Sequence, residues 1–266
     1  MKGQSSKTGQ PAPIATADMF LGDRVAILQP ASGYRAGIDA VLLAASVKAP
    51  GRAKFRVLDV GAGVGTVGLC IAARIPNADV TLFEREPQLA SMARDNIAAN
   101  QFTARAVVIN GDVAISAGDL GYLGLKLESF DCVVANPPFH DEDSGTLAGN
   151  TLKAGSHAMP GDGLELWARF MARMTCVSGR AAMIHKAEAL PRILAAFEGR
   201  FGGLMVLPIH PRIGEPAIRV LVHGIKGSRA PMVLKSGLVL HGQGQEFTPI
   251  VEAVLREGAA LPGYEL

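Results

Sequence analysis

From residue 56 onward, short continuous apolar runs alternate with segments of helical spacing. RVLDV (56–60), DVTLF (79–83), AVVIN (106–110) and FDCVVA (130–135) read as buried strands. Helices are expected between them at Gly65 to Arg74, at Pro87 to Asn100 with proline in its first turn, and more weakly over 113–123. Ahead of this series, Asp39 to Val47 reads as a short apolar helix, with Asp39 as a plausible N-cap. Residues 140–163 carry no periodic apolar face and read as a long loop. Leu164 to Val177 resumes as a helix with Leu164, Trp167, Met171 and Met174 on one stripe. A strand at 180–185, a helix from Ala187 to Phe197, and strands at 204–209 and 217–225 follow. The last two are joined closely enough to pair antiparallel. The pattern predicts an α/β fold: a seven-stranded, mostly parallel sheet, helices on both faces, the last strand antiparallel. Residues 1–13 read as a flexible tail and 14–266 as one domain.

Composition narrows this. The chain has 266 residues, 48% of them hydrophobic and 19% charged, enough to form a core and to exclude a disordered chain. Its three cysteines, Cys70, Cys132 and Cys176, are far apart, so neither a disulfide scaffold nor a Cys-x-x-Cys metal motif is expected, and a reducing compartment is. No apolar run is long enough to span a bilayer and the N-terminus lacks a signal pattern, so the expectation is a cytoplasmic protein with no membrane and no metal partner. The net charge of +2 does not announce a nucleic-acid binder, although residues 151–266 hold 13 basic against 9 acidic side chains.

The candidate chemistry lies where strands end. Asp59-Val60-Gly61-Ala62-Gly63-Val64-Gly65-Thr66 follows the first strand of the series and opens a helix. Glycines there permit positive φ and close approach of a ligand to the backbone. Thr66 stands where a dinucleotide fingerprint has its third glycine, and no Walker-type lysine follows. Asp59 would repel a pyrophosphate and suit a ligand bearing an ammonium group; it could equally cap the helix. Glu84 lies 23 residues past Gly61, where an acid grips ribose hydroxyls in dinucleotide folds, and Asp112 follows the third strand. Three acids at three successive strand ends are read as one binding edge.

Asn136-Pro137-Pro138-Phe139 follows strand 130–135 directly. Two prolines fix the backbone and remove its donors, which leaves the Pro137 carbonyl and the Asn136 side chain as acceptors. Such a loop suits a planar NH2 group, its two N–H bonds held by the two oxygens and its ring stacked on Phe139. Acceptors off the ring plane favour a more tetrahedral nitrogen and expose its lone pair, so no strong base is needed.

Together these residues resemble the S-adenosylmethionine-dependent methyltransferases with a Rossmann-like seven-stranded sheet, over roughly residues 30–225. The resemblance implies that Asp59 and Gly61, Ala62, Gly63 and Gly65 lie near the methionine part of that cofactor, Glu84 on its ribose and Asp112 by its adenine, with Tyr34, Asp39, Arg85, Val113 and Asn136 also in contact. The Asn-Pro-Pro-Phe tetrad resembles the signature of amino-group methyltransferases, in which Asn136, Pro137, Pro138 and Phe139 would be catalytic. With Gly33-Tyr34-Arg35-Ala36-Gly37-Ile38-Asp39, the chain resembles the bacterial tRNA(Val) adenine-37 N6-methyltransferase family, which implies an RNA partner, tRNA foremost. His140 is a feature shared with ribosomal guanine-N2 methyltransferases, and glutamine in a protein is a third acceptor; a non-catalytic binding module is the contrasting class. His157 is ambiguous between a base contact and an ordinary loop residue. If RNA binds, Lys153, Arg169, Arg173, Arg212 and Arg219 are candidate phosphate contacts, although most read as solvated faces.

Overall fold

The computed structural model describes residues 15–32, 35–48, 51, 54–139 and 163–264. The expected tail 1–13 and most of the loop, with His140, Lys153 and His157, lie outside these. In chain order the elements are β1 (Ala15–Phe20), β2 (Val25–Pro30), α1 (Ile38–Ala45), β3 (Phe55–Val60), α2 (Thr66–Arg74), β4 (Ala78–Glu84), α3 (Pro87–Ala99), β5 (Ala106–Asn110), β6 (Phe130–Ala135), α4 (Gly163–Met174), β7 (Thr175–Lys186), α5 (Leu190–Phe197), β8 (Phe201–His210), β9 (Arg219–Lys226), β10 (Val233–Leu234), β11 (Leu238–Val239) and α6 (Pro249–Glu252).

The main sheet is Rossmann-like and runs β10-β8-β9-β7-β6-β3-β4-β5, with β11 also pairing β8. β3 pairs in parallel with β4 on one side and β6 on the other, so the winding reverses at β3. That is where such sheets open a crevice at the carboxyl ends of their strands. β9 is antiparallel to both β7 and β8, as the sequence predicts. The two-residue strands β10 and β11 extend the edge beyond the seven expected.

β3 and β6 are buried on both faces, which is why they read as unbroken apolar runs. One core forms under α1, α2, α3 and α6, from residues such as Leu42, Leu69, Leu82, Ile97 and Val254. The other forms under α4 and α5, where Phe83 stacks on Phe170 with ring centroids 4.8 Å apart.

One element is added and two expectations are corrected. First, residues 15–30 form a hairpin ahead of α1, where no element is expected. Its turn runs through Leu21, Gly22 and Asp23, all at positive φ, and Gly-Asp between two short apolar runs is a hairpin signal. Second, α4 stops at Met174 rather than Val177. The carbonyls around its end are taken by partners far along the chain: Lys226 Nζ donates to Ala172 O (2.7 Å) and to Thr175 O just beyond the helix (2.9 Å), and the Glu128 N–H to Arg173 O (2.8 Å). β7 therefore starts at Thr175, and its register against β6 shifts between Phe130 and Cys132. Third, the weak helix over 113–123 is only a 3-10 turn at Leu120–Leu123.

Two asparagines one turn apart, Asn96 on α3 and Asn100 at its C-cap, join the hairpin to that helix. Asn96 Oδ1 accepts from Leu28 N–H (2.8 Å), and its Nδ2 donates to Leu28 O (3.1 Å) and Val64 O (2.9 Å). Asn100 Oδ1 accepts from Ala26 N–H (2.9 Å), and its Nδ2 donates to Ala26 O (2.7 Å). The amides copy the pairing of a missing strand along β2, and Asn96 also fixes the glycine turn through Val64. Asn96 is 2% exposed, so Asn96→Ala leaves buried backbone groups unpaired. It is expected to cost about 2–3 kcal/mol in urea unfolding, against about 1 kcal/mol for the more accessible Asn100→Ala.

Candidate active site

The turn from β3 into α2 is built on glycines that the geometry requires. Gly61, Gly63 and Gly65 have φ of 65°, 57° and 92°, a region that costs an L side chain about 1–2 kcal/mol. At Gly61 a Cβ would stand 2.2 Å from the Trp167 ring. At Gly65 it would meet Leu82 at 2.7 Å. Gly63 is different: nothing lies within 4 Å of its Cβ position, so the backbone there faces open space.

Two buried carboxylates hold this turn. Asp59, near the end of β3, is 1% exposed and its Oδ2 accepts from Gly68 N–H in the first turn of α2 (2.9 Å). It thus serves an orphan helix donor from outside the helix, the capping alternative of the sequence reading. Burial pushes its carboxyl up to about 7, against the pull of the Gly68 N–H and with a further push from the Glu84 charge. Glu84, the last residue of β4, takes Gly63 N–H on Oε2 (2.7 Å) and Glu86 N–H on Oε1 (2.8 Å). Burial raises its carboxyl too, opposed by those backbone N–H groups. Ala62 N–H donates to Phe83 O (3.0 Å), as does Gly61 N–H (2.8 Å).

The third strand end completes this edge. Asp112 Oδ1 accepts from Ala114 N–H (2.8 Å), and Arg85 Nη1 lies 3.5 Å from its Oδ2. Val113 packs beside the core under α4 and α5. Asp59, Gly61, Ala62, Gly63, Gly65, Glu84, Arg85, Asp112 and Val113 therefore share the carboxyl edge of β3, β4 and β5. Tyr34 lies outside the described residues.

The proline loop leaves β6 at the same level. Val60 pairs with Ala135, so Gly61 and Asn136 emerge side by side from neighbouring strands. Asn136 Oδ1 is shielded from solvent, Pro137 is buried, Pro138 exposed and Phe139 half-buried. Phe139 meets His185 edge-on, centroids 4.8 Å apart, and the Arg219 guanidinium carbon lies 4.8 Å from its ring centre. Arg219 Nε in turn donates to Asp39 Oδ2 (2.9 Å).

Two expectations change here. Asp39 is not the N-cap of α1; Gly37 is, without a side-chain cap, and Asp39 in the first turn is engaged by Arg219. Arg219 is thereby committed to an ion pair rather than standing as a phosphate contact. Arg173 and Arg212 likewise donate to backbone carbonyls, of Ile115 (3.3 Å) and Gly244 (2.5 Å), whereas Arg169 is exposed. His185 and Trp167 are additions. His185 ends the apolar run of β7 at the same edge, and the chain's single tryptophan sits in the first turns of α4, which begin at that edge. Burial, and then the charges of Arg192, Lys186 and Arg219, push His185 down to about 4, so it is neutral near pH 7. Among the described residues no group of three His, Cys, Asp or Glu could hold a metal ion, and no helix is long and apolar enough to cross a membrane.

A parallel sheet that reverses beside a glycine turn, with acids on successive strand ends, defines a methyltransferase-type domain. The family model for the methyltransferase small domain matches residues 35–169, and the chain belongs to that family. It is 37% identical over 124 residues to the tRNA1(Val) (adenine(37)-N6)-methyltransferase of Porphyromonas gingivalis, covering 46% of this chain and 48% of that one. It is 32% identical over 120 residues to the ribosomal RNA large subunit methyltransferase G of Streptomyces coelicolor, covering 45% and 29%. The matches thus span less than half of either relative. A crystal structure of a predicted O-methyltransferase from Agrobacterium tumefaciens superposes with a TM-score of 0.69 at 34% identity, covering 83% of this chain and 97% of that one.

The buried acids make stability depend on pH. Between about pH 4 and 7 the folded chain keeps a proton on Asp59 that the unfolded chain has released, so stability falls as pH rises through that window. The full effect is about 4 kcal/mol at 1.36 kcal/mol per pKa unit. Asp59→Asn keeps an oxygen for the Gly68 N–H but cannot ionise. Its urea-unfolding free energy is expected to lose most of that slope and to exceed the parent's above pH 7.

Proposed function

We propose that this chain is an S-adenosylmethionine-dependent methyltransferase acting on an exocyclic amino group, with adenine N6 in tRNA as the substrate. The observation that carries the reading is the emergence of the glycine turn and the Asn136–Phe139 loop side by side from β3 and β6. The residues fit the cofactor. Open space beside the Gly63 backbone admits a ligand against the turn, and a rim of carboxylates complements a ligand that carries positive charge and hydroxyls. Glu84 would hold the ribose, Asp112 and Val113 would border the adenine, and Gly61 to Gly65 would line the methionine part. Asp59 acts through the turn it holds, since its carboxylate is buried. When bound, the cofactor supplies a methyl group on a positively charged sulfur.

On the acceptor side, the Asn136 amide oxygen and the Pro137 carbonyl take the two N–H bonds of the target, and the Phe139 ring carries its plane. The target base reaches this loop only if it is unpaired or flipped out. The substrate assignment draws on the P. gingivalis relative and on the Asn-Pro-Pro-Phe tetrad.

Transfer to oxygen is the second reading, favoured by the longer match to the A. tumefaciens structure. A hydroxyl acceptor would have to lose its proton to a base. Of the described groups nearby, Asp59 is buried against the Gly68 N–H, and His185, pushed down to about 4, is a weak base. An amine attacks through its lone pair before losing a proton, and the methylated, positively charged nitrogen is acidic enough to release that proton to water afterwards, so the amine reading needs no such base.

Incubation with methyl-labelled S-adenosylmethionine, total RNA and total protein, followed by mass spectrometry of nucleosides and amino acids, is expected to yield N6-methyladenosine in tRNA. N2-methylguanosine, methylglutamine or an O-methylated product would move the acceptor elsewhere. Asn136→Ala is expected to leave cofactor affinity by calorimetry within about threefold and to lower kcat by about 100-fold or more. Retention of full turnover would remove the two-acceptor mechanism.

A further inference from the structure

Phe139 is held from two sides. Its edge contact with His185 comes from β7, and the guanidinium over its face comes from Arg219, the first residue of β9. Arg219 is itself fixed: Nε donates to Asp39 Oδ2 at 2.9 Å, and Nη1 donates to Ile218 O at 3.0 Å. The Asp39 and Arg219 side chains are only 15% and 27% exposed, so the pair is sheltered from much of the screening that weakens surface ion pairs. Asp39 lies in the first turn of α1 and Arg219 stands 180 residues later. The pair therefore ties α1 and β9 to the one aromatic ring of the proline loop.

We propose that Arg219 is a positioning residue: anchored by Asp39, it sets the plane of Phe139 and through it the orientation of the acceptor ring. This rests on the reading of residues 136–139 as the acceptor loop. The prolines stiffen the backbone up to Pro138, but nothing in their chemistry fixes the χ angles of the residue that follows. A planar cation over the ring and an imidazole nearly perpendicular to it, with centroids 4.8 Å apart, together fix the ring's tilt. Arginine suits the post because its guanidinium is flat, always charged and able to bond a carboxylate while lying over a ring. The neutral state of His185 fits the same arrangement, since a charged imidazole would be repelled by the Arg219 guanidinium that the ring also contacts.

The test compares Arg219→Gln and Arg219→Lys in the full chain, assayed for methyl transfer to tRNA. Arg219→Gln is expected to lower kcat by about 10- to 100-fold, the scale of a small misplacement of the reacting group, with cofactor KM nearly unchanged. Arg219→Lys keeps a charge over the ring and a donor to Asp39, and is expected to recover part of the loss. In a Phe139→Ala background, Arg219→Gln is expected to add less than about twofold, because both changes remove the same constraint. Independent losses in the double variant, or an unchanged kcat in Arg219→Gln, would overturn the proposal. Incorporating 4-fluorophenylalanine at position 139 reads the contact without turnover. Its fluorine resonance is expected to shift on Arg219→Gln, and an identical spectrum would also overturn the proposal. If the parent chain methylates no amine, the reading of the loop falls while the fluorine signal still reports whether Arg219 holds the ring.

Discussion

The conformation of the β3–α2 turn depends on two carboxylates that accept hydrogen bonds from its backbone. A chain leaving a buried strand and entering a helix within a few residues exposes N–H groups that find no partner in either element. Asp59 takes one from Gly68 and Glu84 takes one from Gly63, and both acids are held where burial opposes their charge. The backbone can then follow a path that favours glycine at Gly61, Gly63 and Gly65. The arrangement trades stability for a binding edge. Ionised carboxylates in an apolar sheet cost free energy that a neutral acceptor would avoid. What they leave in return is a firm turn with open backbone at Gly63.

The two halves of the site differ in how far they were legible in the sequence. The half around β3, β4 and β5 is local: each acid or glycine follows its strand directly, and strand endings are visible as the close of an apolar run. The proline loop is equally local. What surrounds it is not. Arg219 and Asp39 are 180 residues apart, and nothing in the spacing near Arg219 marks it as anything but a solvated cation. Trp167 shares a stripe with Leu164 and Met171, so its contact with Gly61 is hidden behind an ordinary core pattern.

The fold shows the same division. Parallel strands buried on both faces announce themselves, and their order follows from the winding rule. The β1–β2 hairpin is marked only by its Gly22-Asp23 turn, and one of its edges is completed by the Asn96 and Asn100 side chains rather than by another strand. The end of α4 is likewise set from a distance. The residues from Thr175 to Val177 can continue a helix by pattern, but Lys226, brought alongside by β9, takes the carbonyls at its terminus. In both places a remote polar side chain decides where a local element stops.

β9 runs against its neighbours, and this alone puts its beginning, rather than its end, at the edge where the other central strands finish. The connection 211–218 therefore hangs beside the proline loop while belonging to a part of the chain remote from the glycine turn. Lengthening or recharging that connection would reshape the approach to the acceptor side and leave the opposite half of the crevice as it is. A single reversed strand thus gives the molecule two separately variable rims on one sheet.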